Sequence, residues 1–349
     1  MTKTSETPLL GCDERSINIQ ITPTTFKHGK EWAYTVTYDE ALTELFDHVV
    51  PLHEELGLPG HVEVVVGQMG EVRRIGNSSY NGYHHMGADK LRELIDMGWG
   101  VGNHSWTHGI VEENIDLEVR QAKEVLEDAI GHRVTVYTAP GSNANITPKI
   151  TAALQEHGYL CALSVTDDIN RPDADLWFLG RVANLHQAWT PLFAAFDSHH
   201  RLTQAQRESG WVIDYCHCPA PTIPHENKDL YIDEHRARLN AVIESGDKVW
   251  TATAEEILDY IVCRRHLQIE TVSNGAGEER YRLQLKDLPT PVASRQVTVD
   301  IKVPPNLRRN PVVILDGQPQ PGLLVTLDTL RVTVDLSQPI ILSVGGSSQ

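Results

Sequence analysis

The feature that most constrains the fold is the alternation of strand-like and helix-like segments along most of the first 265 residues. Short β-branched and aromatic runs, such as 32–37 and 61–66, are followed by amphipathic stretches, such as 41–56 and 89–97. Repeated strand–helix units of this kind place parallel strands beside crossover helices. The pattern therefore predicts an α/β fold, a (β/α) barrel that is distorted and seven- or eight-stranded.

After residue 266 the sequence changes character. Short β runs follow one another, Gly and Pro turns separate them, and no helical pattern intervenes. A chain of 349 residues is long enough for one large domain and one smaller domain. We expect a polar lead-in over residues 1–20, a barrel over 21–265 and an all-β, sandwich-like accessory domain over 266–349.

The charge and hydropathy of the chain limit which binding partners and which cellular compartment we expect. The chain has 30 Lys and Arg against 47 Asp and Glu, a net charge of −17, which disfavours nucleic acid and anionic membranes as partners. No run is apolar enough to span a bilayer, and residues 1–16 do not resemble a signal peptide. We therefore expect a cytoplasmic protein, or a secreted one if a leader has been removed, with a homo-oligomer left open.

The strongest chemical signal is the segment His104–His108, which carries two histidines four residues apart. If the segment forms one helical turn, both imidazoles lie on the same face, and neutral imidazoles so placed are good ligands for zinc and similar divalent metals. With 17 histidines in the chain, one such spacing is also expected by chance. The alternative is a pair of capping or core histidines.

Asp39 and Glu40 form a second signal at the end of the first strand-like run. Adjacent carboxylates repel each other unless a cation lies nearby. A catalytic metal site with two histidines commonly adds one carboxylate ligand and leaves a position for water, so that the second carboxylate can act as a base. The alternative is that both acids merely cap the helix that follows.

Together these motifs resemble a known family. Thr37–Glu40, then His104–His108 after a Gly-x-Gly-Asn lead-in, is similar to the polysaccharide deacetylase (NodB-homology) family, carbohydrate esterase family 4. The run 91–104 looks like that family's approach to its His-x-x-x-His motif, and 249–260 looks like its closing strand and helix. The resemblance covers residues 30–262 and excludes the β-rich region.

The resemblance implies a bound divalent metal ion. Glu40 occupies the position of the family's metal-binding aspartate, and His104 and His108 match its two metal-binding histidines. Zinc is the metal that we favour, with cobalt, nickel and manganese as alternatives.

The resemblance also implies the other catalytic groups. Asp39 matches the catalytic base, and His217 in Tyr215-Cys-His217 matches the general acid of a Leu-x-His motif. The segment 137–141 stands where the family has Arg-x-Pro-Tyr, so that the N–H of Gly141 would hold the oxyanion.

Three departures from the family pattern are visible. Glu40 is longer than the usual aspartate, and Thr138 replaces the arginine that orients the base. Arg171 or Arg181 could replace that arginine from another strand. The third departure is a fourth motif that is only loosely echoed at 173–177. A carboxylate beside His217 is also expected, and the sequence leaves three candidates open: Asp167, Asp168 and Asp214.

The resulting expectation is a metal-dependent deacetylase that hydrolyses N- or O-acetyl groups of a carbohydrate and releases acetate. Two alternatives remain open at this stage. The first is a hydrolase of another C–N bond in a small amide, because the motif arginine is missing. The second is a catalytically degenerate protein that binds glycans.

Overall fold

The computed structural model describes residues 19–186, 198–225, 229–275, 278–303, 311–320 and 322–346. Seventeen strands are described: β1 (Gln20–Pro23), β2 (Trp32–Asp39), β3 (His61–Val64), β4 (Gly100–Asn103), β5 (Val136–Thr138), β6 (Cys161–Leu163), β7 (Val182–Ala183), β8 (Trp211–Cys216), β9 (Val249–Thr251), β10 (Leu267–Gly275), β11 (Glu278–Leu285), β12 (Gln296–Lys302), β13 (Pro311–Leu315), β14 (Gln318–Gln320), β15 (Leu323–Thr326), β16 (Thr329–Asp335) and β17 (Ile340–Gly346). Seven α-helices are described: α1 (Leu45–Leu56), α2 (Ala88–Asp96), α3 (Ala122–Ile130), α4 (Pro148–Glu156), α5 (Ser198–Glu208), α6 (Ile232–Ile243) and α7 (Ala254–His266).

The barrel is one eight-stranded sheet in the order β6-β5-β4-β3-β2-β8-β7, with β9 pairing the start of β2. All of its strand pairs are parallel. The short segment 179–183 closes it, because Leu179 N–H donates to Ala162 at 2.9 Å while Val182 pairs with Asp214 of β8. The predicted (β/α) barrel is confirmed.

Local sequence signals explain where the helices begin and end. The Thr147 hydroxyl caps α4, and Pro148 takes the first turn, where a missing N–H has no consequence. Gly57 ends α1 in a left-handed conformation, with φ of 66°. Apolar faces of these helices cover the outer side of the sheet in one continuous core. As a result, the strand ends that carry polar side chains are held on a rigid scaffold.

Helix α7 and the β-rich region close the other end of the barrel. A second core joins the barrel interior, α7 and the β-rich region. That region contains a five-stranded sheet, β10-β11-β17-β13-β14, and a four-stranded sheet, β1-β12-β16-β15, both antiparallel in their pairings.

The N-terminal strand differs from its predicted place. Residues 21–23 were expected in the barrel, whereas β1 pairs with β12, with Gln20 opposite Lys302. A four-residue strand alone carries no signal of which sheet it will join, so this pairing was out of reach of the sequence pattern. Most of the predicted lead-in lies outside the described residues. Within the described part of the chain, no helix has the length and apolarity needed to cross a bilayer.

Candidate active site

A pocket of about 530 Å³ lies at the carboxyl ends of the barrel strands. This is the end at which barrels of this kind place their chemistry, because the loops there carry polar side chains on rigid strands. The pocket gathers all six residues that the sequence analysis selected, together with seven others: Asp39, Glu40, Arg73, Ile75, Asn77, Ser78, His104, His108, Gly141, Val165, Leu185, Tyr215 and His217. We call Asp39, Glu40, His104, His108 and His217 the mouth cluster.

Asp39 is the last residue of β2, and Arg181 holds it. The guanidinium donates from Nη1 to Oδ1 at 2.6 Å and from Nη2 to Oδ2 at 3.2 Å. Burial raises the pKa of Asp39, but Arg181, then His104 and His217, outweigh it and lower that pKa to about 2. Asp39 is therefore ionised at neutral pH. Of the two arginines proposed to replace the missing motif arginine, Arg181 reaches Asp39, while Arg171 pairs with Glu208.

Glu40 faces a different arginine, one that the sequence analysis did not select. Arg73 donates from Nη2 to Oε1 at 2.6 Å and from Nε to Oε2. The Glu40 backbone is left-handed, with φ of 73°. Burial raises the pKa of Glu40, whereas the hydrogen bond from Arg73 and the charges of His217 and Arg73 lower it to about 2.

His104 and His108 come together without a helix. The predicted helical turn is wrong, because Ser105 and His108 have φ of 69° and 59°, which a right-handed turn does not allow. Instead, Glu118 ties the loop by accepting hydrogen bonds from Trp106 N–H at 2.7 Å and Thr107 N–H at 2.9 Å. The two imidazole centroids lie 4.9 Å apart.

The two imidazoles are neutral at pH 7. Burial lowers the pKa of His104 to about 3, with Asp39 opposing that shift. Burial also lowers the pKa of His108. Nδ1 of His104 lies 3.0 Å from the carbonyl oxygen of Thr138. Because a carbonyl can only accept, Nδ1 carries the proton, and the lone pair is on Nε2.

Gly141 and His217 complete the pocket wall. Gly141 is left-handed, with φ of 67°, and its N–H makes no backbone hydrogen bond with the described residues. His217 follows β8 directly; its Nε2 lies 4.0 Å from Oε1 of Glu40, and its ring stacks on Tyr80 with centroids 5.3 Å apart. An N–H donor and an imidazole therefore face the same space as Asp39.

A further carboxylate near His217, in addition to Glu40, is one that the sequence analysis missed. Asp229 is fully buried and accepts hydrogen bonds from Tyr80 Oη at 2.8 Å and from the N–H of Cys218. Burial raises the pKa of Asp229 to about 6, and the charge of His217 opposes that shift. The three predicted candidates are occupied elsewhere: Asp214 by Arg238 and Tyr34, Asp167 by Arg201, and Asp168 by Arg171 and Arg201.

Neither Arg73 nor Asp229 had a usable sequence signal. Arg73 lies in the irregular segment 71–86 and Asp229 in the described residues 229–231, where no periodicity or strand end points to the pocket. Arg73 is 33 residues from Glu40, and Asp229 is 149 residues from Tyr80. Only the closed barrel brings them to the mouth cluster.

Comparison with known proteins gives a match to one family model. A family model described as polysaccharide deacetylase matches residues 27–162, the segment that contains Asp39, Glu40 and both histidines of the 104–108 loop. Over these residues, the chain is similar to the polysaccharide deacetylase family. The resemblance predicted from the motifs is confirmed. No curated protein matches this chain.

Several solved structures are similar to it at low identity. IcaB from Ammonifex degensii is 20% identical, over 47% of this chain and 72% of that chain, with a TM-score of 0.41. A family 4 acetyl xylan esterase from Clostridium thermocellum is 16% identical, over 64% and 89%, with a TM-score of 0.40. A polysaccharide deacetylase from Bacillus cereus is 16% identical, over 42% and 45%, with a TM-score of 0.34, so this chain spans under half of that protein.

The metal ion that the polysaccharide deacetylase family implies can be tested against the donor atoms. The two imidazoles suit a divalent ion, but the oxygens of Glu40 are paired with Arg73 and those of Asp39 with Arg181. In the part of the chain that the structure describes, no three His, Cys, Asp or Glu side chains are arranged to hold a metal. The ligand role predicted for Glu40 does not match its surroundings, because a guanidinium stands where the ion would bind.

Proposed function

We propose that this protein is a deacetylase that hydrolyses an acetyl group of a carbohydrate and releases acetate. The observation that carries the proposal is the convergence of Asp39, the 104–108 histidines, Gly141 and His217 on one pocket of a polysaccharide deacetylase domain. Together, these groups can perform acyl transfer to water, because they place a carboxylate, two neutral imidazoles, a backbone N–H and a further imidazole around one space.

Asp39 is proposed to position and deprotonate the attacking water. Arg181 keeps the carboxylate ionised and fixes its orientation, since both oxygens are held by one planar guanidinium. A carboxylate with so low a pKa is a weak base towards free water. It suffices as the attack proceeds, because the water becomes more acidic while it bonds to the acetyl carbon. The neutral Nε2 of His104 can accept the second hydrogen of the same water.

Gly141 and His217 are proposed to stabilise the charge that develops and to release the product. The N–H of Gly141 would donate to the acetyl oxygen as it becomes an oxyanion. Nε2 of His217 would protonate the leaving nitrogen or oxygen of the sugar, so that acetate departs. The proton that Asp39 has accepted is then lost to solvent, and His217 regains a proton from solvent, which restores both groups.

The charge of the chain favours a neutral or amine-bearing substrate. The net charge of −17 repels polyanions, whereas a sugar amine released by hydrolysis would leave as a cation. These electrostatics support a substrate such as an N-acetylated hexosamine over an acidic glycan.

Acetate release from a defined panel tests the proposal. We expect acetate from N-acetylglucosamine oligomers or from acetylated xylan, measured by a coupled assay with purified full-length protein. No acetate from any acetylated carbohydrate would contradict the proposal.

A second candidate is the hydrolysis of a small amide. Ile75, Asn77 and Ser78 of the 71–86 loop line the pocket together with Leu185, which limits the space available to a long polymer. Turnover of cyclic or small linear amides, without acetate release from any glycan, would favour this alternative.

A further inference from the structure

The proposed reaction gives no role to Arg73, whose guanidinium stands at Glu40 where the family resemblance predicts a metal ion. The guanidinium and the carboxylate form a two-pronged pair, with Nη2 2.6 Å from Oε1 and Nε bonded to Oε2. Both side chains are almost fully buried, at 3% and 2% exposure. The pair is therefore part of the pocket wall rather than a surface contact.

Arg73 is fixed in place by its own backbone and by a neighbour. Its N–H donates to the carbonyl of Tyr83 at 2.7 Å, and its carbonyl accepts from Gly82 N–H at 3.2 Å. Its Nη1 donates to Oδ1 of Asn81 at 2.8 Å, and the same oxygen accepts from Ile75 N–H at 3.0 Å. The loop thus presents the guanidinium in one orientation.

Glu40 is fixed from the opposite side. Its carbonyl accepts a hydrogen bond from Nδ1 of His85 at 2.7 Å, and its left-handed backbone turns the carboxylate towards Arg73. A non-glycine residue keeps such a backbone only when its surroundings hold it there. Both partners of the pair are positioned independently, so the pairing is built into the fold.

A guanidinium and a divalent ion exclude each other at this carboxylate. Arginine does not deprotonate in proteins, so Arg73 is always a cation. An ion that took over both oxygens of Glu40 would leave a buried guanidinium without its carboxylate partner, beside two further positive charges. The two imidazoles of His104 and His108 alone make a weaker site than the three ligands of a catalytic metal centre.

We propose that Arg73 is the resident cation of this site. It takes the place of a divalent metal at Glu40, so the wild-type protein does not load a metal ion through Glu40, His104 and His108. Removing the guanidinium makes those three side chains available as a ligand set. This inference goes beyond the proposed function, because it concerns the cation and holds whatever substrate the pocket accepts.

Cobalt titration of the untagged full-length protein tests the proposal. Tetrahedral Co²⁺ absorbs in the visible range, and calorimetry gives its stoichiometry and affinity. We expect no visible band with the wild type. Arg73→Ala should bind one Co²⁺ per chain roughly 10²- to 10³-fold more tightly than the wild type, the range that corresponds to relieving a buried charge conflict. Arg74→Ala, at the exposed neighbouring position, is the matched control and should behave like the wild type.

Further variants keep the test decisive. Adding His108→Ala to Arg73→Ala should abolish the acquired band, which separates this site from adventitious binding by other histidines. Arg73→Gln removes the charge but can still hydrogen bond to Glu40, and it replaces Arg73→Ala if that variant does not fold by circular dichroism. The proposal is overturned if the wild type binds Co²⁺ with the affinity of the variant, or if the folded variants bind no more than the wild type. Neither readout needs activity, so failure here is distinct from failure of the deacetylase proposal.

Discussion

Among the described residues, two clusters of buried charge in the barrel can be compared: the first lines a pocket and the second is buried away from it. The mouth cluster lines a space of about 530 Å³. The second, which we call the interior cluster, consists of His61, Glu63 and Glu255. Its imidazole lies 3.0 Å from each carboxylate, and all three residues are buried. These contacts do not have the geometry of hydrogen bonds, so they are ion pairs.

The surroundings of the two clusters indicate different roles. In the interior cluster one imidazole lies between two buried carboxylates, and Glu255 also accepts from Val101 N–H at 3.0 Å, so the cluster connects β3, β4 and α7. Glycines make room for it: a Cβ at Gly102 would lie 2.0 Å from Oε2 of Glu63, and one at Gly100 would lie 2.2 Å from Cδ2 of His61. At the mouth, the charges are split into two arginine–carboxylate pairs and leave neutral imidazoles facing the pocket.

The largest effect is expected at His217. His217→Asn removes the proposed acid and should lower kcat by about 10²- to 10⁴-fold, with little change in thermal stability. A substrate with a good leaving group needs less protonation, so the loss should shrink for an activated aryl acetate. Steady-state kinetics with both substrates would check this. An equal loss on both would contradict the acid role.

A substitution at His61 tests whether the interior cluster contributes to stability and not to catalysis. His61→Gln leaves Glu63 and Glu255 without their cation and should lower the free energy of unfolding by about 3–5 kcal/mol at pH 7. Any folded molecules should keep their rate per site. Chemical denaturation and active-site titration would separate the two quantities. The exposed His48→Gln is the control, and a catalytic defect with full stability would break the comparison.

The same cluster predicts a pH dependence of stability. Burial lowers the pKa of His61, but Glu255 and Glu63 outweigh it and raise that pKa to about 10. Because the pKa is higher in the folded than in the unfolded protein, protonation of His61 stabilises the fold. This stabilisation is fully present below the unfolded pKa of about 6.5, and it is lost as the pH rises towards 10. The difference in Tm between the wild type and His61→Gln should therefore narrow between pH 7 and pH 10. A constant difference would show that His61 is not held protonated.

Arg181 should have a smaller effect, visible in the pH profile of the reaction. In the wild type, Asp39 stays ionised above about pH 4, because its pKa is about 2. Arg181→Met removes the opposing charge, so burial should raise the pKa of Asp39 and the rate should fall as the pH drops from 7 to 5. At pH 7 we expect a loss of about tenfold to a hundredfold through misplacement of Asp39. Arg181→Lys should restore part of the profile.

Gly141 should give the smallest effect. Gly141→Ala imposes a side chain on a left-handed backbone, at a cost of roughly 1–2 kcal/mol in stability. A modest loss of kcat should accompany it if the N–H moves away from the acetyl oxygen. The alanine Cβ itself meets no atom within 4 Å, so a steric block is excluded as the cause. Unchanged kinetics in the folded variant would remove Gly141 from the mechanism.

Periodicity was sufficient to predict the barrel, and the family resemblance completed the mouth cluster. Residues 32–37 read as a strand, and the polar residues that follow it, Asp39 and Glu40, line the pocket. The sequence could not predict that the 104–108 loop would be irregular, since that depends on Glu118 reaching back to Trp106 and Thr107.

Contacts between residues that are far apart in the sequence could not be predicted either. The choice of Arg181 over Arg171 depends on the barrel being closed by segment 179–183. Arg73 and Asp229 occupy loops whose path follows from tertiary packing, so nothing local marks them as neighbours of Glu40 and His217. The residues that could not be predicted from the sequence are therefore charged residues that lie around the predicted site residues.

The most direct test of the account compares acetate release by Asp39→Asn and Glu255→Gln, each measured per folded molecule on the best carbohydrate substrate. If chemistry belongs to the mouth cluster alone, Asp39→Asn should lose about 10²- to 10⁴-fold in rate. Glu255→Gln, at the closed end of the barrel, should then be less stable but catalyse at nearly the wild-type rate. Full activity in Asp39→Asn, or an equal loss in both variants, would contradict the account.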